Sequence, residues 1–144
     1  MLVSQILKSK ASAGVVTIKP DAPVSDAAKV LAEKKIGTVV VSADGEHADG
    51  ILSERDIVRE LGRRGPSCMA DSVDEIMTAN IVSCSRTESS DEVLGKMTAG
   101  RFRHMPVMEG GEMVGLISIG DVVKAQISQL SMEKEALEGM IKGF

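Results

Sequence analysis

The chain contains no tryptophan and no tyrosine, and its only phenylalanines are Phe102 and Phe144. That removes the ring platform on which single-stranded nucleic-acid binders stack bases. The two cysteines, Cys68 and Cys84, are far apart and make no CxxC or zinc-type spacing. They suit a reducing compartment, not a disulfide framework. No run of 18 apolar residues occurs, and Met1-Leu2-Val3 passes at once into polar sequence without a signal-peptide pattern. The expected setting is therefore soluble and cytoplasmic, with no membrane partner. A basic excess is also missing: 17 Lys and Arg against 21 Asp and Glu leave a net charge of −4. Such a chain has no global attraction to nucleic acid or to an anionic membrane. P-loop, GxGxxG, GxSxG and HExxH patterns are absent, and His47 falls in a turn. We expect no enzyme activity, no catalytic residue and no bound metal.

What the chain does contain, it contains twice. Gly50-Ile51-Leu52-Ser53-Glu54-Arg55-Asp56-Ile57-Val58 returns 65 positions later as Gly115-Leu116-Ile117-Ser118-Ile119-Gly120-Asp121-Val122-Val123. Val3-Ser4-Gln5-Ile6-Leu7 resembles Val73-Asp74-Glu75-Ile76-Met77. Val16-Thr17-Ile18 aligns with Val82-Ser83-Cys84, and Ile36 to Val41 with Phe102 to Val107, both at an offset of 66. The offset changes between Ser42 and Gly50, where Asp44-Gly45 marks a turn. With 43% hydrophobic residues in 144, the chain can bury a core as one domain or as two half-domains.

Each copy has the same order of elements. An apolar segment (Val15 to Ile18; Ile81 to Cys84) precedes a helix (Val24 to Lys35; Ser90 to Ala99). Ala27, Ala28, Leu31 and Ala32 give the first helix one apolar face, and Val93, Leu94 and Met97 do so for the second. Ser25-Asp26 and Ser90-Asp91 are expected to start these helices. A β-rich run follows (Thr38 to Val41; Met105 to Met108), then a Gly turn and a strand ending in Ile51-Leu52 or Leu116-Ile117. A second helix begins at Ser53 or Ser118. The fold class is α+β: two pseudo-symmetric β-α-β-β-α repeats, expected to pack through their sheets. The expected boundaries are repeat one at 1–61, a linker at 62–72, repeat two at 73–128 and a helical tail at 129–144. Arg63 and Arg64 read as solvated linker charges. In the tail, Leu130, Leu137, Met140 and Ile141 form a loose apolar stripe, interrupted by Ser131 to Glu135, that suits either its own chain or another molecule.

Two readings of the repeated Ser-x-x-Asp stand side by side. Ser53 with Asp56, and Ser118 with Asp121, are capping boxes with Asp in place of Glu. The same helix starts also suit a ligand. Gly50 and Gly115 permit close approach, and Arg55 in the first helical turn opposes the helix dipole unless an anion lies nearby. A helix N-terminus with a hydroxyl is a ready phosphate site, and an Asp beside it can accept hydrogen bonds from a ribose diol. Arg101, Arg103 and His104 make a local basic patch before Met105-Pro106. It reads either as a solvated strand edge, with Pro106 blocking pairing, or as a seat for a phosphate.

The motif Gly-apolar-x-Ser-x-x-Asp, following an apolar-Pro-Val strand and occurring twice from about Val3 to Lys124, resembles a tandem cystathionine β-synthase (CBS) domain pair of the stand-alone class. The resemblance implies a disc-like module, a homodimer, with clefts between the two repeats that take AMP, ADP, ATP, S-adenosylmethionine or NAD(H). It places Asp56 and Asp121 on ribose hydroxyls and Ser53 and Ser118 near ribose or phosphate. Thr17 and Ser83 would sit against the nucleoside. Backbone near Met105-Pro106 and Val39-Val40 would meet adenine, with Ile18, Ile36 and Met105 as apolar contacts in place of rings. Arg55, Arg59, Arg101, Arg103 and His104 are the phosphate candidates, chosen by charge. The copies differ: copy one has Gly37-Thr38-Val39-Val40 where copy two has Arg103-His104-Met105-Pro106, and copy two has Ile119-Gly120 in place of Glu54-Arg55. Two unequal clefts are expected. The function read from this is a non-catalytic adenine-nucleotide sensor acting on a regulated protein partner. The competing readings are a scaffold with degenerate clefts and an RNA binder using the Arg101/Arg103 patch, the latter opposed by the acidic charge and missing rings.

Overall fold

A computed structural model describes residues 1–10 and 14–142. Helix α1 (Val3–Ser9) precedes strand β1 (Thr17–Ile18), helix α2 (Val24–Lys34), strands β2 (Thr38–Val41) and β3 (Gly50–Ser53), and helix α3 (Glu54–Arg64). A 3-10 turn (Pro66–Ala70) and the short helix α4 (Val73–Ile76) lead to helix α5 (Ser90–Gly100), strands β4 (His104–Glu109) and β5 (Glu112–Ser118), and helix α6 (Ile119–Ile141). None of the described helices is long and apolar enough to cross a membrane.

The chain forms two compact units that do not follow its order. One holds α1, Ser83–Met108 and the chain from Gly115 on; the other holds Gly14–Val82 and Glu109–Val114. The two copies have thus exchanged their opening helices. In the first unit, Val3 N–H donates to the Glu88 carbonyl (2.9 Å) and Ser90 N–H to the Met1 carbonyl (2.8 Å). In the second, Val24 N–H donates to the Asp71 carbonyl and Val73 N–H to the Ala22 carbonyl, both at 2.8 Å. Each unit therefore anchors a segment from the other copy through backbone groups that would otherwise be buried unpaired.

The second unit is built on β2. Its valines Val39, Val40 and Val41 favour a strand and are fully buried. β1 runs parallel to β2, with α2 as the crossover, and β3 runs antiparallel with Thr38 opposite Ser53 and Val41 opposite Gly50. Ala27 and Leu31 of α2, Leu52, Ile57 and Ile76 join Val39 and Val41 in one core. In the first unit, Val3, Ile6, Val93, Met97, Met105, Val107, Ile117 and Val122 are buried, and α6 packs beside α5 and α1.

The expected α+β class and the strand–turn–strand–helix order hold. Four local expectations are corrected. The segment Ile81 to Cys84 is not a strand; only Cys84 pairs, parallel to Val107. In copy one, Val40 N–H donates to the Val16 carbonyl (3.0 Å). Pro106 stands at the matching position and has no N–H, so this second strand bond cannot form. The helix starts also differ. Pro23 occupies the N-cap position of α2 without a side-chain capping bond, and Ser89, not Ser90, caps α5 by accepting from Glu92 N–H at 3.1 Å. Residues expected as a linker from 62 hold the last turn of α3 and the 3-10 turn. There Arg63 and Arg64 are not merely solvated: both reach Glu60 (3.1 and 2.7 Å), and Arg64 also reaches Asp71. The Arg64 hydrogen bond, aided by Arg63, holds the Glu60 carboxyl below its ordinary value against desolvation. The expected helical tail extends the last helix: α6 runs on through the polar Ser131 to Glu135 as far as Ile141. Gly143 and Phe144 lie outside the described residues.

Candidate functional site

Both Ser-x-x-Asp motifs fold as reciprocal capping boxes. Ser53 is extended at φ −110°, ψ 162°, so its side chain can turn back over the first turn of α3. Its N–H donates to Asp56 Oδ2 (2.9 Å), and Asp56 N–H donates to Ser53 Oγ (3.3 Å). Ser118 repeats this with Asp121 at 2.9 and 3.1 Å. Each box is closed by one further backbone bond. Glu54 N–H donates to the Gly37 carbonyl (2.9 Å), and Ile119 N–H donates to the Arg103 carbonyl (2.8 Å). The segment entering β2 or β4 is therefore fixed against the start of α3 or α6.

A cation sits on each carboxylate, but from a different source. Arg59, one turn along α3, donates from Nη2 to Asp56 Oδ1 at 2.8 Å. Asp121 is met instead by Lys10 from the end of α1: Lys10 Nζ lies 2.9 Å from Asp121 Oδ2 and donates to the Leu116 carbonyl at 2.7 Å. Burial alone would raise the Asp121 carboxyl. The Ser118 N–H and the Lys10 ammonium outweigh it and hold the group below its ordinary value. Lys10 was not among the residues singled out from the motif. The one sequence signal is the difference between copies at that position, Lys10 against Asn80.

The glycines before the motif have a specific neighbour. A Cβ at Gly50 would stand 2.4 Å from Met77 Sδ and 3.1 Å from the Thr78 carbonyl oxygen. A Cβ at Gly115 would stand 2.7 Å from Leu7 Cδ2. The close approach expected there is made by the exchanged segments, through the aligned residues Leu7 and Met77. Ile51 and Thr78 also exchange both backbone bonds at 2.9 Å, whereas in copy two the Leu116 carbonyl is served by Lys10.

The sequence-selected residues fall into two sets, one per unit. Thr17, Ile18, Val39, Ser53, Arg55, Asp56 and Arg59 lie in one; Ser83, Arg101, Arg103, His104, Met105, Pro106, Ser118 and Asp121 lie in the other. Thr17 and Ser83 are exposed at the ends of matching segments. Val39 and Met105 are fully buried. Their side chains belong to the core, so Met105 is not placed as an open apolar contact. Pro106 is buried as well, with β5 on one side and the Cys84 bridge on the other. The strand-edge reading of Pro106 is thereby corrected.

Arg101 and Arg103 are exposed, and Arg103 is anchored at the start of α6 through its carbonyl. Arg101 ends α5 in the left-handed conformation (φ 57°), as Lys35 ends α2 (φ 54°). A cation there also favours the helix dipole. Among the described residues, no carboxylate reaches Arg55, Arg101 or Arg103.

One group of metal-type side chains occurs among the described residues: Asp44, Glu46 and His47, all exposed in the β2–β3 turn. The turn itself explains it. Asp44 Oδ1 accepts from Glu46 and His47 N–H, both at 2.8 Å, while Oδ2 meets His47 Nδ1.

A family model described as the CBS domain matches residues 3–63 and again 73–128. The chain is 32% identical over 148 aligned residues to the mitochondrial CBS domain-containing protein CBSX3 of Arabidopsis thaliana, covering 98% of this chain and 72% of that protein. The crystal structure of the CBS-domain containing protein ATU1752 from Agrobacterium tumefaciens superposes with a TM-score of 0.82 at 44% identity, covering 88% of this chain and 99% of that one. The CBS domain pair of protein MJ0100, solved with 5′-methylthioadenosine and S-adenosyl-L-methionine, superposes with a TM-score of 0.75 at 25% identity, covering 87% and 98%.

Proposed function

Because the chain belongs to the CBS domain family, we propose that it is a non-catalytic regulatory module whose two Ser-x-x-Asp helix starts bind the ribose of adenosyl ligands. The observation that carries this reading is the repeated, closed Ser–Asp box with a basic segment fixed beside the second copy by the Ile119–Arg103 backbone bond. A carboxylate only accepts hydrogen bonds, and a ribose diol supplies two donors. At Asp121 both Ser118 N–H and Lys10 fall on Oδ2, and among the described residues no donor reaches Oδ1. Asp56 has Arg59 on Oδ1, so a diol there must share or displace a guanidinium.

The exposed guanidinium groups of Arg101 and Arg103 suit a phosphate chain beside copy two, and Arg55 suits one beside copy one. We assign copy two the longer phosphate chain, because its segment Arg101 to His104, fixed to the helix start through the Arg103 carbonyl, carries two exposed arginines. Without Trp or Tyr, the base is held by aliphatic side chains such as Ile18 and Ile36 and by strand backbone. MJ0100 holds adenosyl compounds; AMP, ADP, ATP and NAD(H) share the same ribose and base. Ligand binding acts on a partner protein only through different affinity for two states of the module.

The test is the ultraviolet spectrum of the supernatant released by heating purified protein, followed by mass spectrometry, and titration with AMP, ATP, NAD(H) and S-adenosylmethionine. An adenine band near ~260 nm (from a chain almost dark at ~280 nm for want of Trp and Tyr), or saturable binding of one of these compounds, supports the reading. No released adenine and no binding at millimolar ligand contradicts it.

A further inference from the structure

Lys10 reaches the copy-two helix start from a part of the chain that carries no motif. Its Nζ lies 2.9 Å from Asp121 Oδ2 and donates to the Leu116 carbonyl at 2.7 Å. An ammonium has three N–H groups, and the third finds no acceptor among the described residues. Lys124 stands at the position that Arg59 holds in copy one, yet it is exposed and makes no ion pair with Asp121. The cation on this carboxylate is one that copy one cannot supply, since Asn80 is the residue aligned with Lys10. The charges beside the two boxes differ as well. In copy one Asp56 is balanced by Arg59, and the adjacent Glu54 and Arg55 balance each other. Glu54 Oε1 lies 3.5 Å from where a Cβ at Gly37 would stand. The aligned residues in copy two are Ile119 and Arg103, so an arginine replaces a glycine faced by a carboxylate. With Asp121 balanced by Lys10, the exposed Arg101 and Arg103 leave copy two positive.

Resting on the adenosyl reading of this site, we propose that Lys10 is a specificity determinant: it sorts ligands at copy two by the charge on their 5′ carbon, accepting a 5′-phosphate and rejecting a 5′-sulfonium. The ribose diol is the same in every adenosyl compound, so Asp121 alone cannot tell these ligands apart. The 5′ group does differ: a phosphate is anionic, a thioether neutral and a sulfonium cationic. A ribose held by its diol carries that group one ring-width from Asp121, a range at which partly buried charges still act. Lys10 is 28% exposed and held by two acceptors, so its charge is fixed and less screened than those of the exposed Arg101 and Arg103. It offers an anion one N–H and an attraction; it offers a sulfonium only repulsion. Removing its charge also leaves Asp121 a bare carboxylate, which attracts a cation. The effect of that removal therefore has opposite signs for the two ligand classes, weakening phosphate and strengthening sulfonium. Copy one, with its charges balanced, should discriminate little.

The test is calorimetric titration of the full chain carrying Asp56→Ala, which leaves copy two as the adenosyl site, with circular dichroism showing that each variant folds. The ligands are AMP, 5′-methylthioadenosine and S-adenosylmethionine, and affinity should fall in that order. Lys10→Gln keeps a donor for the Leu116 carbonyl but not the charge, and should lower the ratio of AMP to S-adenosylmethionine affinity about tenfold. Lys10→Arg keeps the charge and should largely preserve the ratio. The neutral thioether reports any effect common to all three ligands: a merely structural Lys10 would weaken them by one factor and leave the ratio unmoved. Binding with an unchanged ratio in Lys10→Gln, or a ratio that falls equally in both variants, overturns the charge role of Lys10 and leaves the adenosyl reading standing. No binding of any of the three by the folded Asp56→Ala chain overturns the adenosyl reading of copy two, and this inference with it.

Discussion

Lys10 at the end of α1 and Asp121 in the first turn of α6 form an ion pair at 2.9 Å. Their side chains are 28% and 23% exposed, so the pair is less screened than a surface one. Replacing Lys10 with Met leaves a half-buried carboxylate without its cation and should cost about 1–2 kcal/mol in chemical denaturation. Affinity for an adenosyl ligand at copy two should change in the same variant, because Asp121 then meets the diol uncompensated. Copy-one affinity should not.

The same pair predicts a pH dependence. The Asp121 pKa is lower in the folded chain than its ordinary 3.8. Its contribution is therefore fully present above about pH 4 to 5 and is lost as pH falls through the folded value. Asp121→Asn should lower stability near neutrality and converge with the wild type in acid, which flattens the acid limb of the stability-against-pH curve below about pH 4. An acid limb identical to wild type would contradict the assignment.

His47 gives the opposite sign. Its pKa is raised from 6.5, first by the hydrogen bond to Asp44 and then by that carboxylate's charge. The His47–Asp44 contact is present below the ordinary histidine value and is lost as pH rises through the raised one. A histidine titration by NMR should show one resonance above the ordinary value that falls toward it in Asp44→Asn.

Gly50 and Gly115 should respond unequally to alanine. At Gly115 the added methyl meets only the end of Leu7, which can rotate; at Gly50 it meets Met77 Sδ and also the Thr78 carbonyl oxygen. Gly50→Ala should cost about 1–3 kcal/mol and Gly115→Ala less, as compared by denaturant midpoints. Met77→Ala should recover part of the Gly50→Ala loss and none of the Gly115→Ala loss.

Cys84 is buried beside Val107, and burial pushes its thiol up to about 11. Cys68 is buried and free as well. A thiol reagent at mild alkaline pH should find no fast-reacting cysteine in the folded chain and two in denaturant. A fast native reaction would show that Cys84 is open.

Much of this architecture was readable because the repeat is nearly continuous. Ser53 and Ser118, each three residues before an Asp, located two helix starts and the hydrogen bonds that close them. The β-branched run at Val39 located the central strand. Three features escaped. The segment before Pro106 left a strand edge and a phosphate seat as alternatives, and neither foretold that Pro106 is buried, with its missing N–H removing a bond only on the Cys84 side. Gly50 and Gly115 announced a close approach but not by what, since Met77 and Leu7 come from segments distant in the chain. Lys10 carries no motif at all, and its role depends on α1 joining the other copy's unit. Periodicity reports neighbours along one element; it does not report which segments are exchanged.

The most direct test of the adenosyl reading is calorimetric titration of the folded wild-type chain, Asp56→Ala, Asp121→Ala and the double variant with AMP, ATP and S-adenosylmethionine. The expected result is saturable binding to the wild type, loss of one class of site in each single variant and loss of all binding in the double variant, with circular dichroism unchanged. Undiminished binding by the folded double variant would contradict it.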